Sequence, residues 1–322
     1  MSTQARALLL VGLILLTGVM WALSFASKRL EQVAAGSAPL EPRSFAALSV
    51  VAAGTGGSYE SHLRLGPCIV LGLGDTLVLV DAGRGTAQAL RHARIPVEQP
   101  RAVLLTSLLP ENTLGLDDWL WGVSLAGGGA RQVFGPPGTR SLVEGLLAAH
   151  AAGARAAAAS FGVPPDPPLE VVEAADGFEV RVGELALRAA EQRGGPLATL
   201  AWRAEGGGRS VLVSGAGFDP EALVAAAHGA DAWVHESLRG ASLDEAVTAG
   251  GESAQGIARE GALHTRLEEV GALAARAGVG QLVLVRLRPP PVYGFWYTRL
   301  VGQTFRGAIS IPDDGDEIAL RR

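Results

Sequence analysis

From residue 45 onward, apolar and polar positions divide the chain into short strands and helices. Phe45 to Ala53 and Pro67 to Gly72 read as two apolar strands separated by GTGGSYESHLRLG. The run TLVLVDAGRGTAQAL changes at Asp81 from a strand into a turn, then into a helical pattern ending near His92. RAVLLT is another short strand, and QVFGPPG a strand and turn. TRSLVEGLLAAHAAGARAAAAS is a helix with Thr139 as its expected N-cap and an alanine-rich tail that extends it or links onward. From Leu169 to Leu187 the period of two predicts a hairpin or part of a meander. ATLAWRAEG, RSVLVSGAG, ADAWVHES and QLVLVRL follow as strands, with helices at PEALVAAAHGA and EEVGALAARAGV. Antiparallel strands opening each half, then strand and helix in alternation, predict a mixed α/β layered fold.

The segment from Ala7 to Ala26 is different, because it has no charged residue and lies between Arg6 and Lys28–Arg29. Twenty helical residues reach about 30 Å, enough to cross a bilayer. Ser24 and Ala26 fit the small-residue spacing before a signal-peptidase cut, so anchor and cleaved signal both stay open. The expected organisation is an anchor or signal over 1–30, a linker over 31–47 and one domain over 48–322. That domain is expected at the cell membrane on the periplasmic or extracytoplasmic side, tethered through residues 7–26, or exported after cleavage.

Composition narrows the function classes. With 322 residues, 48% hydrophobic and 18% charged, the chain can bury a large core. The net charge of −5 and scattered basic residues give no field for a polyanion, so no nucleic-acid partner is expected. A small molecule or a protein is the expected partner. Cys68, the single cysteine, rules out an internal disulfide and a multi-thiolate zinc site.

The common nucleophile arrangements are missing too. Ser214 in LVSGAG is not in a nucleophile elbow, Cys68 sits in an apolar strand, and Ser107 has no neighbouring base. The histidines at 62, 92, 150, 228, 235 and 264 show no HxH or HxxxH spacing. GTGG at 54–57 has no lysine or distant acid to complete a nucleotide loop and is assigned to a turn. TSLLPENTLGL, residues 106–116, is placed like a catalytic loop yet carries one carboxylate and no histidine.

Taken in order, GTGG, RLGP (64–67), VDAGRGTAQAL (80–90), TSLLPENTLGL, FGPPGTRSLVEGL (134–146), LVSGAGFDPEALV (212–224), WVHES (233–237), HTRLEEVGALAARAGV (264–279) and LVLVRLRPP (282–290) resemble the metallo-β-lactamase fold superfamily. The resemblance is to its ribonuclease Z and arylsulfatase-like branch. It implies an αββα sandwich, four layers with two mixed sheets face to face and a site where loops meet at the sheet edge. In active members a THxHxDH loop, a later His, an Asp and a final His hold two zinc ions. Carried onto this chain, those positions fall on Ser107, Leu109, Glu111, Asn112, Glu191 or Gln192, Ala216 and Arg286.

Leu109 and Ala216 offer no side-chain lone pair and Arg286 brings a permanent cation, so no metal or other cofactor is expected. Glu111 and Arg286 are candidates to compensate each other's charge. His235, Glu236 and His264 remain as catalytic candidates, since the resemblance places an acid/base relay at Glu236 and His264. Trp119, Trp121, Tyr293, Phe295 and Trp296 are candidates to line an apolar cleft. The expectation is a non-catalytic, ligand- or partner-binding pseudoenzyme. Its alternatives are a residual ester or phosphodiester hydrolase using Glu236 and His264 with an atypical, zinc-containing metal set, and a purely structural interaction module.

Overall fold

The computed structural model describes residues 3–57, 64–164, 166–195, 197–249 and 254–320. The chain divides into two compact units, with the boundary between Glu41 and Pro42. The first contains the helix α1 (Thr3–Ser37). Among the described residues no helix is long and apolar enough to cross a membrane. This overturns the expected anchor at residues 7–26 and the extracytoplasmic placement drawn from it. The Thr17 hydroxyl turns back to donate to the Leu13 carbonyl at 2.7 Å.

The second unit opens with β1 (Phe45–Gly54), β2 (Cys68–Gly74) and β3 (Thr76–Val80), each antiparallel to the one before. The chain continues through α2 (Thr86–His92), β4 (Ala102–Leu104), the short α3 (Pro110–Thr113), α4 (Leu116–Leu125), β5 (Arg131–Gly135), α5 (Thr139–Phe161) and β6 (Leu169–Glu173). Here β3, β4, β5 and β6 run parallel as successive neighbours. A second sheet starts with the antiparallel β7 (Glu179–Val182), β8 (Leu185–Gln192), β9 (Thr199–Gly206) and β10 (Arg209–Ser214). Then come α6 (Pro220–Ala227), β11 (Ala232–Leu238), α7 (Gly240–Ala249), α8 (Ala254–Gly261), α9 (Leu267–Ala277), β12 (Gln281–Arg288), α10 (Gly294–Val301) and β13 (Ala308–Ser310), with β10 to β13 parallel. The last strand, β14 (Asp316–Ile318), returns to the first sheet beside β1.

The central strands β2, β3, β4, β11 and β12 are buried along almost their whole length because they are covered on both faces, whereas the outer strands β6, β7, β13 and β14 are partly exposed. In β2, Ile69, Leu71 and Leu73 join the core between the sheets, while Cys68 and Val70 face Leu90, Trp119 and Val143 from the helical layer. On the second sheet Val211, Val213, Ala232 and Val234 face inward, whereas Leu212 and Trp233 pack with Leu223, Leu267 and Leu273. Trp202 spans the inter-sheet core, its ring edge-on to Phe134 at 6.4 Å and its indole N–H donating to the Leu105 carbonyl at 3.0 Å. The architecture is the four-layer αββα sandwich of the metallo-β-lactamase fold.

Two local expectations change. Residues 169–187 do not form one meander, because β6 pairs with β5 in the first sheet while β7 and β8 form a hairpin in the second. Thr139 is the first residue of α5 and not its cap; Gly138 holds that position at φ 99°, and the Thr139 hydroxyl donates to the Pro136 carbonyl at 2.6 Å. Cys68 is fully buried, and burial pushes its thiol up to about 12, which removes it as a nucleophile.

Candidate functional site

The parallel strands bring their C-terminal ends to one edge of the sandwich, where the polar residues following each apolar run collect. Beyond β3, Asp81 adopts φ 61°, and its carboxylate accepts the Thr106 N–H at 2.8 Å and the Thr106 hydroxyl at 2.8 Å. Burial pushes Asp81 up to about 7 against the opposing pull of Arg286 and the Thr106 donors. The 106–116 loop is clamped to this turn: Ala82 N–H donates to Asn112 O at 2.8 Å and Gly115 N–H to Ala82 O at 2.9 Å. A Cβ at Gly115 would lie 2.0 Å from the Gly83 carbonyl oxygen. Gly115→Ala is therefore expected to destabilise the chain by about 1–3 kcal/mol through overpacking, read as a lower urea midpoint with an unchanged slope.

On β11, alternation continues the inward series Ala232, Val234 to Glu236 and sends His235 to the opposite side with Trp233. On β12 the same rule would send Arg286 outward with Leu282 and Leu284. It is overridden there. Between Glu236 and Leu238 the ladder shifts, pairing Val285 and then Arg288, so β12 carries one extra residue. Arg286 takes φ 50° within this bulge, and its N–H donates to the Thr55 carbonyl at 2.8 Å. A bulge re-aims a side chain, and a left-handed arginine costs on the order of 1–3 kcal/mol that its surroundings must offset.

They do so through a closed set of charges. Arg286 Nη2 donates to Glu111 Oε1 and lies 3.0 Å from Glu236 Oε2. Arg288 Nη2 donates to Glu111 Oε2 at 2.8 Å, so Glu111 bridges both guanidiniums. Glu236 Oε1 is hydrogen-bonded to His264 Nδ1, and Arg288 Nη1 meets His264 Nε2 at 3.0 Å. A guanidinium only donates, so Nε2 presents its lone pair and Nδ1 carries the proton given to Glu236. Burial pushes the Glu236 carboxyl upward, but Arg286 and then His264 hold it well below the usual carboxylate range.

The positions that the resemblance assigns to metal ligands are engaged in other contacts. Asn112 Nδ2 donates to Ser107 Oγ at 3.0 Å and to Thr106 Oγ1 at 2.9 Å. Gln192 Nε2 donates to the Ala216 carbonyl at 2.5 Å and Gln192 Oε1 accepts the Asp219 N–H at 3.4 Å. The fully buried residue of that pair is thus Gln192, on the face of Ala190 and Ala201, while Glu191 keeps the parity of Leu187 and Ala189 but is only half-buried, and its N–H bonds to Asp176. Asn112 Oδ1 is buried without a partner, but a single neutral amide oxygen is a poor cation ligand. Among the described residues no three His, Cys, Asp or Glu side chains are grouped to hold a metal. The residues present do not fit a dinuclear zinc centre of the kind the resemblance implies.

Other expectations are corrected. His235 takes no part in the cluster. Trp233 Nε1 donates to Ser214 Oγ at 2.8 Å, leaving the Ser214 proton for His235 Nδ1 at 2.8 Å, and His235 Nε2 meets Thr265 Oγ1 at 2.7 Å. Burial lowers His235 from 6.5 to about 4. The unfolded chain therefore takes up this proton first, and stability is lost as pH falls from 6.5 towards 4, by about 3 kcal/mol for this group. His235→Gln is expected to flatten that part of a urea-midpoint profile. No single aromatic cleft forms: Trp119 is in the core with its indole N–H on the Val97 carbonyl, and Trp121 lines a groove with Leu146, Leu147 and His150. Tyr293, Phe295 and Trp296 are exposed at the start of α10, with the last two ring centroids 4.7 Å apart. His62 lies outside the described residues. The residue missing from the sequence-based candidates is Arg288, which reaches the site because the bulge in β12 sets it opposite Leu238, a shift that period-two alternation does not reveal.

No family model matches the chain. It is 32% identical over 278 residues to a ribonuclease Z of Mycobacterium sp. (strain KMS), covering 83% of this chain and 94% of that protein. It is also 32% identical over 277 residues to a ribonuclease Z of Mycobacterium marinum, with 83% and 96% covered. Among solved structures, the metallo-β-lactamase fold protein YhfI from Bacillus subtilis superposes with TM-score 0.64 at 16% identity, covering 84% of this chain and 99% of that one. The short form of human tRNase Z gives TM-score 0.63 at 17% identity, with 85% and 100% covered.

Proposed function

Because the chain belongs to the ribonuclease Z family of the metallo-β-lactamase superfamily, we propose that it acts on the phosphodiester backbone of a nucleic acid at this sheet edge. This reading replaces the expected non-catalytic, partner-binding role and the expected lack of a nucleic-acid partner. Both are overturned by relatives named for ribonuclease activity, matched over 83% of the chain. Zinc is the metal of active members of this family, but the donor set here does not suit it, and no step is derived through it.

The supporting observation is the buried His264–Glu236 pair beside Arg286 and Arg288. Glu236 accepts from Nδ1 and fixes the ring, leaving Nε2 as the atom that can take a proton from, or return one to, a reacting oxygen. Arg286 and Arg288 supply fixed positive charge where a phosphoryl group gathers negative charge in its transition state. The side chains therefore divide the work: the guanidiniums hold and stabilise the phosphate, and the imidazole moves a proton at Nε2.

The test is turnover of an end-labelled tRNA precursor by the purified full chain. A discrete product that accumulates with time is expected. A folded chain that leaves this RNA and unstructured RNA intact would remove the reading.

A further inference from the structure

Glu111 is the one member of the cluster contributed by the 106–116 loop; Arg286, Arg288 and Glu236 come from the strands and His264 from the segment before α9. Its two carboxylate oxygens each meet a different guanidinium. A phosphodiester presents the same features, one negative charge shared by two non-bridging oxygens, and arginine recognises both anions through paired N–H donors. Arg286 and Arg288 carry two positive charges and Glu111 and Glu236 two negative ones. Exchanging Glu111 for a phosphodiester monoanion therefore leaves the balance unchanged and strands no buried charge.

The two carboxylates differ in how easily they can leave. Glu236 is 1% exposed and also bonded to His264 on a central strand, whereas Glu111 is 9% exposed on a four-residue helix between the exposed Pro110 and Leu114. Resting on the proposed action on nucleic acid, we infer that Glu111 is an internal stand-in for the substrate phosphate. Its carboxylate occupies the Arg286–Arg288 anion site, and a phosphodiester enters by displacing it. The same displacement turns Arg288 towards the incoming anion and releases His264 Nε2 for proton transfer.

The experiment measures binding of a short labelled ribo-oligonucleotide by fluorescence anisotropy, with dimethyl phosphate as competitor, in the wild type, Glu111→Gln and Glu111→Gln/Arg286→Met. Glu111→Gln is expected to bind at least tenfold more tightly and to lose bound RNA to dimethyl phosphate, and the double variant to lose that gain. Equal or weaker binding by folded Glu111→Gln would overturn the inference, as would dimethyl phosphate failing to compete. If Glu111→Gln melts too low to assay, inorganic phosphate should raise its melting temperature more than that of the wild type; no such difference also overturns it. Cleavage is scored separately. RNA intact with the wild type but bound more tightly by Glu111→Gln would sink the proposed function and leave the anion site standing. Cleavage by the wild type with unaltered binding by Glu111→Gln would do the reverse.

Discussion

Arg286→Met is expected to destabilise the chain by about 3–5 kcal/mol, the range for removing one partner of a buried ion pair. Arg286 is 5% exposed and faces Glu111 and Glu236, which are 9% and 1% exposed. Removing it leaves Arg288 to serve both carboxylates, and Glu236 keeps only His264 and a more distant cation. Methionine fills similar volume, so loss of charge dominates over a cavity. The left-handed backbone at 286 remains in the variant, since the Arg286 N–H still reaches the Thr55 carbonyl. Pairing it with Glu111→Gln removes one stranded charge and should recover part of the loss in urea unfolding at pH 7. If the two substitutions were additive, Glu111 and Arg286 would not be energetically coupled. Because Glu236 sits below the usual carboxylate range, its stabilisation is present above that range and is lost as pH falls through and below it.

The second large effect concerns chemistry. His264→Ala is expected to lower the rate of RNA cleavage by about 10²–10⁴-fold, the usual contribution of one positioned proton-transfer group. The loss should lie in kcat and not in KM, because binding is assigned to Arg286 and Arg288. Glu236→Gln keeps a group that can accept the Nδ1 proton but removes the charge that stabilises an imidazolium, so it should retain more activity than His264→Ala. A matched fall in both variants together with a higher KM would point to collapse of the cluster instead. Circular dichroism and melting of each variant separate those outcomes.

The layered fold is legible because its strands are short, apolar and bounded by turn residues, and because period-two alternation survives in Leu185–Ala189. The junction at residues 169–187 is not, since alternation gives the face of a strand but not the sheet that receives it. In the site, the opposite charges of Glu111 and Arg286 are visible in the sequence, while their meeting depends on the bulge in β12. Regular alternation would have turned Arg286 the other way. Alternation does account for His235, which follows Trp233 to the helix-covered face and leaves Glu236 alone at the edge. At Glu191 and Gln192 parity and burial diverge, since Glu191 keeps the inward parity of Leu187 and Ala189 but is half-buried, whereas Gln192 is buried and bonded to Ala216. The N-terminal segment shows the opposite hazard, where an apolar count over 7–26 suggests a span that the described helix does not provide.

The most direct measurement is nitrogen NMR of the His264 ring at neutral pH while a short ribo-oligonucleotide is titrated in. The expected result is a protonated Nδ1 and a bare Nε2 in the free chain, with the Nε2 signal moving in step with RNA binding as Arg288 turns to the phosphate. A proton on Nε2 in the free chain, or RNA that binds while both ring signals stay fixed, would contradict it.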